Sequence, residues 1–150
     1  MENLNEHNKQ EYPPMHTCEH IVNRTMVNMF GCGRAVSAHI ERKKSKLDFA
    51  LSEAPTEKQL EELLQTVNKV IDSHLDVTVE FITQKEAAER FDLNRLPDNA
   101  SDTVRIVHVG DYDECLCIGA HVNNTCEIGK FVLSSHNYAD GILRIRFKLA

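Results

Sequence analysis

Apolar residues recur along the chain with two periodicities, one typical of helices and one typical of strands. The clearest helical stretch follows a capping box at residues 56–59, after which apolar side chains return every three or four positions: Leu60, Leu63, Leu64, Val67, Val70 and Ile71. Another helix is expected over residues 15–30, ended by Gly31 and Gly33. A short third helix is expected over residues 83–91, again behind a capping box.

Strand periodicity is sharpest in the last segment, ILRIRFKL at residues 142–149. Its apolar residues alternate strictly with Arg144, Arg146 and Lys148, so one face of this strand should be buried and the other hydrated. Further strands are predicted in a hairpin over residues 34–51 and at residues 77–82, 104–109, 112–117 and 130–135. Strand pairs joined by short turns, with helices between them, predict an α+β fold in which a largely antiparallel sheet packs with helices.

The composition is that of one globular domain, with 150 residues of which 41% are hydrophobic and 27% charged. The polar residues 1–14 are expected to form a flexible N-terminal arm, and residues 15–150 the single domain. No apolar run reaches the about 20 residues of a membrane span and no hydrophobic signal region is present, so we expect no membrane contact and a cytoplasmic location. The five cysteines, an odd number, favour free thiols or metal ligands over disulfides.

The net charge of -6 argues against a general attraction to nucleic acid, which depends on neutralising phosphates with lysine and arginine. One local basic patch stands out at the tip of the predicted hairpin and comprises Arg42, Lys43, Lys44 and Lys46. From composition alone, a solvated hairpin tip is the simpler interpretation of this patch.

Two short motifs contain residue types that bind metal ions. Residues 16–20 read HTCEH, which fits the H-x-x-E-H pattern of inverted zinc proteases, where both histidines bind zinc and the glutamate activates water. The histidines lie four apart on a predicted helix, so they can share one metal ion. A second pair, Cys117 and His121, follows a predicted strand, and thiolate and imidazole are ligands that zinc prefers. From the residues alone, a protease site with Glu19 as general base, a His3Cys site and coincidence all remain open.

Both motifs belong to longer patterns that resemble a known family. HTCEH, followed about a hundred residues later by CIGAHVNNTCEIG at residues 117–129, resembles the editing domain shared by alanyl- and threonyl-tRNA synthetases. The order of predicted elements is also similar from residue 15 to the end, and the tail HVNNTCEIGKF is closer to the alanyl version. Because 150 residues leave no room for aminoacylation and anticodon-binding domains, the chain is most similar to the free-standing alanyl-tRNA editing proteins of the AlaX type.

The resemblance implies a zinc ion held by four residues, His16, His20, Cys117 and His121. It implies hydrolysis, in trans, of serine or glycine wrongly attached to alanine tRNA, with the mischarged tRNA as the partner. The expected tRNA contacts are Arg42, Lys43, Lys44 and Lys46 on the hairpin and Arg144 and Arg146 on the last strand. Under this interpretation the match of HTCEH to the protease pattern is accidental. Glu19 is then not the essential base, and no catalytic residue is assigned.

Several positions depart from the pattern of that family. The family commonly has glycine and threonine where this chain has Ile118 and Ala120, and glycine where it has Cys126. Ala120 thereby removes a hydroxyl beside the expected metal, and residues 34–37 show no clear match to the polar residues that line the amino-acid pocket. The alternative expectation is therefore a zinc-containing relative without catalysis that binds tRNA or protein. Oligomeric state is not predicted by the sequence.

Overall fold

The computed structural model of the protein describes residues 12–90 and 103–150. Within them the helices are α1 (Pro13–Phe30), α2 (Glu57–Asp72) and α3 (Gln84–Arg90), and the strands are β1 (Ser37–His39), β2 (Ser45–Ala50), β3 (Val77–Thr83), β4 (Thr103–Val109), β5 (Asp113–Leu116), β6 (Phe131–Ala139) and β7 (Ile142–Leu149), with a 3-10 turn at Thr125–Glu127. The predicted α+β class is confirmed. The predicted end of the third helix, at residue 91, lies outside the described residues.

The strands of the described ranges form two antiparallel sheets rather than one. The larger sheet has the strand order β1-β2-β7-β6, and the smaller one has the order β3-β4-β5. The sequence pattern did not reveal this division, because alternation along a strand shows which side chains are buried and not which strand lies beside it. The division matters for function, since the smaller sheet carries the segment that follows β5.

The hydrophobic core lies between α1, α2 and the inner face of the larger sheet. On that face Phe49, Leu143, Ile145 and Phe147 are fully buried, which confirms the alternation predicted for the last strand. From α1 the core receives five side chains, Met15, Cys18, Ile21, Val22 and Met26. Because a helix turns about 100° per residue, the same helix presents His16 and His20 on a different side from these core residues.

Both ends of α1 follow from local sequence. Pro13 and Pro14 occupy the first turn, where a missing backbone N–H leaves no helical hydrogen bond unmade. Gly31 ends the helix with a φ of 67° and donates its N–H to the carbonyl of Val27 at 2.9 Å. The helix therefore begins at Pro13, so the last residues of the predicted flexible arm are helical, while residues 1–11 lie outside the described residues. None of the helices in the described ranges is long and apolar enough to cross a membrane.

The segment after His121 is held against the core by Thr125 and Glu127, which belong to the pattern CIGAHVNNTCEIG at residues 117–129. Thr125 is fully buried; its hydroxyl accepts the N–H of Leu75 at 2.9 Å and donates to the carbonyl of Ile71 at 2.9 Å. The carboxylate of Glu127 accepts two preceding backbone N–H groups, at 3.2 and 3.1 Å. These motif positions therefore support the fold around the site.

Gly129 provides a test of this structural role. We expect Gly129→Ala to lower the free energy of unfolding by about 1–3 kcal/mol, because positive φ values strain other residues. Its φ is 95°, and an added Cβ would lie 2.9 Å from the carbonyl oxygen of Ala150. Gly33→Ala is the control, since nothing lies within 4 Å of its added Cβ. Urea unfolding measures both variants, and equal stability of the two would contradict this account.

Candidate metal centre

Four side chains from two distant parts of the chain meet at one point. His16 and His20 lie one turn apart on α1, and Cys117 and His121 lie in the segment that follows β5. The ligand atoms of all four lie within 4.8 Å of one another. Sγ of Cys117 is 3.4 Å from Nε2 of His16 and 3.4 Å from Nε2 of His121. The structure therefore brings together the whole set of predicted ligands.

Arg105 of β4 fixes the segment that carries Cys117. The backbone N–H of Cys117 donates to the carbonyl of Arg105 at 3.2 Å, which extends the pairing of β4 and β5 by one residue. The Arg105 guanidinium in turn donates to the carbonyls of Cys117 and Gly119, at 3.1 and 2.7 Å. Since α1 packs on β4 and β5, these contacts hold Cys117 directly opposite the two helix histidines.

Each of the three histidines has its Nδ1 atom beside a polar group outside the cluster. Nδ1 of His16 lies 3.2 Å from the carbonyl oxygen of Ala120, and Nδ1 of His121 lies 2.9 Å from the hydroxyl of Thr17. Nδ1 of His20 is buried and lies 3.4 Å from the carboxylate of Asp113. Metal-binding histidines usually contact a carbonyl, carboxylate or similar group through the nitrogen that does not bind the metal. The three rings therefore fit a metal ion bound through Nε2.

Asp113 is a buried carboxylate held by two arginines. Nε of Arg24 donates to it at 3.0 Å, and the guanidinium of Arg34 donates at 2.9 and 3.3 Å. Burial opposes ionisation, but the contacts with His20 and Arg34 outweigh it and lower the pKa of Asp113 to about 2. The carboxylate therefore stays charged and provides a fixed negative group behind His20.

The protonation states of the cluster suit a metal ion. Burial, together with the adjacent His20 and His16 rings, lowers the pKa of His121 to about 2, so this ring is neutral and has a lone pair to donate. For His16, burial favours the neutral ring, but the hydrogen bond and charge of Cys117 outweigh burial and raise its pKa. A thiolate with three imidazoles is the kind of donor set that Zn²⁺ prefers. Metal binding would release protons from the cluster, because a metal ion binds cysteine as the thiolate and histidine as the neutral ring.

Glu19 lies beside the cluster and not within it. Its carboxylate is 3.7 Å from Nε2 of His16, and both side chains are 19% exposed. Two of the residues that depart from the family pattern, Ile118 and Ala120, lie in the segment between Cys117 and His121. Ala120 contributes its backbone carbonyl to His16, a contact that does not depend on its side chain. Ile118 is 91% exposed, and Cys126 is exposed in the 3-10 turn.

The basic residues predicted to contact tRNA lie on other elements than the four cluster residues. Arg42, Lys43 and Lys44 are exposed at the tip between β1 and β2, where the Arg42 guanidinium lies 5.1 Å from the centre of the Tyr12 ring. Lys46 of β2 is directly opposite Arg146 of β7. Arg144 forms a two-pronged ion pair with Asp48, at 2.9 and 3.0 Å, which lowers the pKa of Asp48.

Several residues of the site were not identified from sequence. Thr17 lies between the two histidines of HTCEH and was given no role, and Arg34 lies in the segment that shows no match to the family's pocket strand. Arg105 and Asp113 were assigned only to strands. Asp113 could have been found, because it lies four residues before Cys117 and alternation places both on the same face of β5. Long-range contacts such as Arg34 with Asp113 leave no local pattern in a sequence.

Thr17 should orient His121 for metal binding. Its hydroxyl also accepts the N–H of Val122 at 3.2 Å, so it holds both the ring and its backbone. We expect Thr17→Val to weaken Zn²⁺ binding about 10- to 100-fold, as measured by competition with a chelating dye, and Thr17→Ser to bind like the original protein.

The matched control is Thr25→Val, because Thr25 is a buried threonine of the same helix whose hydroxyl bonds to Ile21 and Tyr112 away from the cluster. Equal Zn²⁺ affinity of the Thr17→Val and Thr25→Val proteins would refute the role given to Thr17.

Comparison with known proteins relates this site to a family. Residues 104–146 match the model of the threonyl and alanyl tRNA synthetase second additional domain. The chain is 31% identical over 133 residues to alanine-tRNA ligase of Clostridioides difficile, covering 87% of this chain and 15% of the ligase. It is 30% identical over 137 residues to that of Staphylothermus marinus, covering 88% and 15%. The chain thus spans about 15% of the length of these relatives. Residues 104–146 are therefore similar to the second additional domain of threonyl and alanyl tRNA synthetases, and nearly the whole chain is similar to a part of alanine-tRNA ligases.

Proposed function

We propose that the chain hydrolyses, in trans, the ester that joins serine or glycine to alanine tRNA, and that it needs zinc to do so. The observation that carries this proposal is the His16, His20, Cys117 and His121 cluster, found in a chain related to alanine-tRNA ligases. A protein with this activity removes amino acids that a synthetase has attached in error.

Such a hydrolytic step addresses a physical limit on substrate selection. A pocket that accepts alanine cannot exclude the smaller glycine by size, and it rejects an isostere bearing one extra hydroxyl only by about 10²-fold. Because serine is larger than alanine and glycine is smaller, a second site cannot separate all three by size. A site with polar and metal groups can instead test the substrate by its chemistry.

The chain's own side chains would prepare the metal and keep it in place. The three imidazoles and the Cys117 thiolate would hold the ion, which can polarise a carbonyl and stabilise the oxyanion formed during ester hydrolysis. Ala120, Thr17 and Asp113 orient the three rings through their Nδ1 atoms. These contacts fix the donor geometry before a substrate arrives, so no reorganisation is needed at the moment of reaction.

Two basic residues on the larger sheet fit contacts with tRNA phosphates. Lys46 and Arg146 are directly opposite each other on neighbouring strands, and like charges in that position repel. A phosphate bound between them would remove the repulsion. Arg144 is less suited to this role, because Asp48 already balances its charge. The exposed tip residues Arg42, Lys43 and Lys44 complete the proposed contacts.

A second function is favoured by the side chains that face outward at the site. Ala120 has no hydroxyl, and the exposed Ile118 makes the segment between Cys117 and His121 apolar where the family commonly has glycine. These features suit a zinc-containing relative that binds tRNA or a protein without hydrolysing the ester. The two functions share the metal centre and differ only in turnover.

We expect zinc-loaded protein to hydrolyse alanine tRNA charged with serine or glycine and to spare tRNA charged with alanine. Release of radiolabelled amino acid measures the rates. The His20→Ala protein should lose zinc and fall to the uncatalysed rate, while its circular dichroism spectrum stays unchanged. If fully zinc-loaded protein hydrolyses none of the three substrates, the enzyme is excluded and the binding function is favoured.

We expect Glu19→Gln to retain most of this activity, although Glu19 lies near the cluster. Its carboxylate lies 3.7 Å from Nε2 of His16, the atom that would bind the metal, so its charge should act on the metal centre through that ring. Removing a general base typically costs about 10²- to 10⁴-fold in rate. A loss of that size with zinc still bound, and none in the control Glu57→Gln on α2, would identify Glu19 as the base.

A further inference from the structure

The smaller sheet carries an exposed aromatic side chain in the same row as a metal-centre residue. Phe81 of β3 is the cross-strand partner of Arg105 of β4, and Arg105 pairs with Cys117 through the extension of β5. Cross-strand partners point to the same face of a sheet. Phe81, Arg105 and Cys117 therefore form one row, in which the aromatic ring lies on the outermost strand and the thiolate reaches the cluster.

Phe81 is unusual among the apolar residues of the described ranges. Its side chain is 67% exposed, and its same-face neighbour on β3, Val79, is 43% exposed. In the next row Val107 is fully buried, so the exposed strip lies at the edge strand only. A phenylalanine left in water next to a polar site forgoes the stabilisation of burial. Such exposed apolar groups often mark binding surfaces.

The distance from Phe81 to the cluster fits the size of one nucleotide. Neighbouring strands are about 4.8 Å apart, so Phe81 and Cys117 are about 10 Å apart at the backbone. The ester of the proposed substrate lies on the terminal ribose of tRNA and would be held at the cluster. The base on that ribose would then reach the exposed strip, and the positive charge of Arg105 lies between the two positions.

We propose that Phe81, with Val79 beside it, forms a stacking platform for the unpaired 3′-terminal base of the tRNA. This inference rests on the proposed function and adds a binding residue to it. Unpaired bases stack on aromatic side chains in many proteins that bind single-stranded nucleic acid. The platform and the metal centre lie along one row of the sheet. The ring of Phe81 and the side chain of Val79 together offer an apolar surface about the size of a single base. A second copy of the chain, paired through the edge strand β3, is the competing occupant.

The experiment measures stacking directly and independently of hydrolysis. The 3′-terminal adenosine of uncharged alanine tRNA is replaced by the fluorescent base 2-aminopurine, whose emission falls when it stacks. Zinc-loaded protein should quench this emission. Phe81→Tyr, which keeps a ring, should quench it equally, whereas Phe81→Leu, which keeps an apolar side chain, should not. Tenfold to hundredfold weaker binding of this tRNA is expected for Phe81→Leu, on the order of the measured effect of losing one base–aromatic stack.

The matched control is Thr78→Ala, because Thr78 is exposed on the same strand and alternation places it on the opposite face of the sheet from Phe81; it should leave quenching and binding unchanged. Removing the terminal nucleotide from the tRNA should weaken binding to the original protein and leave Phe81→Leu unaffected.

The outcomes separate this inference from the function on which it rests. If the original protein binds the tRNA and hydrolyses its mischarged form, but quenching is the same with Phe81→Leu, the stacking platform is wrong and the proposed function stands. If sedimentation shows a dimer that Phe81→Leu dissociates, the strip is an interface between two copies. If the original protein binds no tRNA, both proposals fall.

Discussion

The site depends on one buried charge, the carboxylate of Asp113. It lies on β5, receives hydrogen bonds from Arg24 of α1 and Arg34 of the following segment, and contacts His20. A buried charge without partners costs several kcal/mol, so the helix, the segment and the smaller sheet are held in the arrangement that brings both arginines to Asp113. That same arrangement places the two helix histidines opposite Cys117. The metal centre is therefore formed by the packing that satisfies the carboxylate.

Helical geometry explains how HTCEH divides its residues between core and site. Cys18 is fully buried with Met15 and Ile21 in the core and is not among the four grouped side chains; burial raises the pKa of its thiol far above the ordinary range. His16 and His20 lie on another side of the helix, where Thr17 also reaches His121. A protease and an editing domain can thus contain the same short sequence, because both need only two histidines one helical turn apart that face the same ion.

Short-range patterns predicted most of the local structure, and the resemblance to a family gave the four candidate ligands that the structure brings together. Strict alternation identified β7 and its buried face, the capping box identified α2, and the two ligand pairs are each four residues apart. The division into two sheets and the contacts of Asp113 with Arg34 were not predictable, since they join residues far apart in the chain. The role of Arg105 in holding Cys117 was also not predictable, because it depends on which strand lies beside β5.

Three of the positions that depart from the family pattern, Ile118, Ala120 and Cys126, are exposed. The backbone carbonyl of Ala120 lies 3.2 Å from Nδ1 of His16, and this contact does not depend on its side chain. The residues that fix the metal ligands, Thr17 and Asp113, are buried. Changes at the exposed positions therefore alter the surface that a substrate would meet and leave the frame of the metal centre intact. It follows that metal binding alone cannot distinguish the hydrolase from the binding protein, and that the difference between them lies in the groups around the ion.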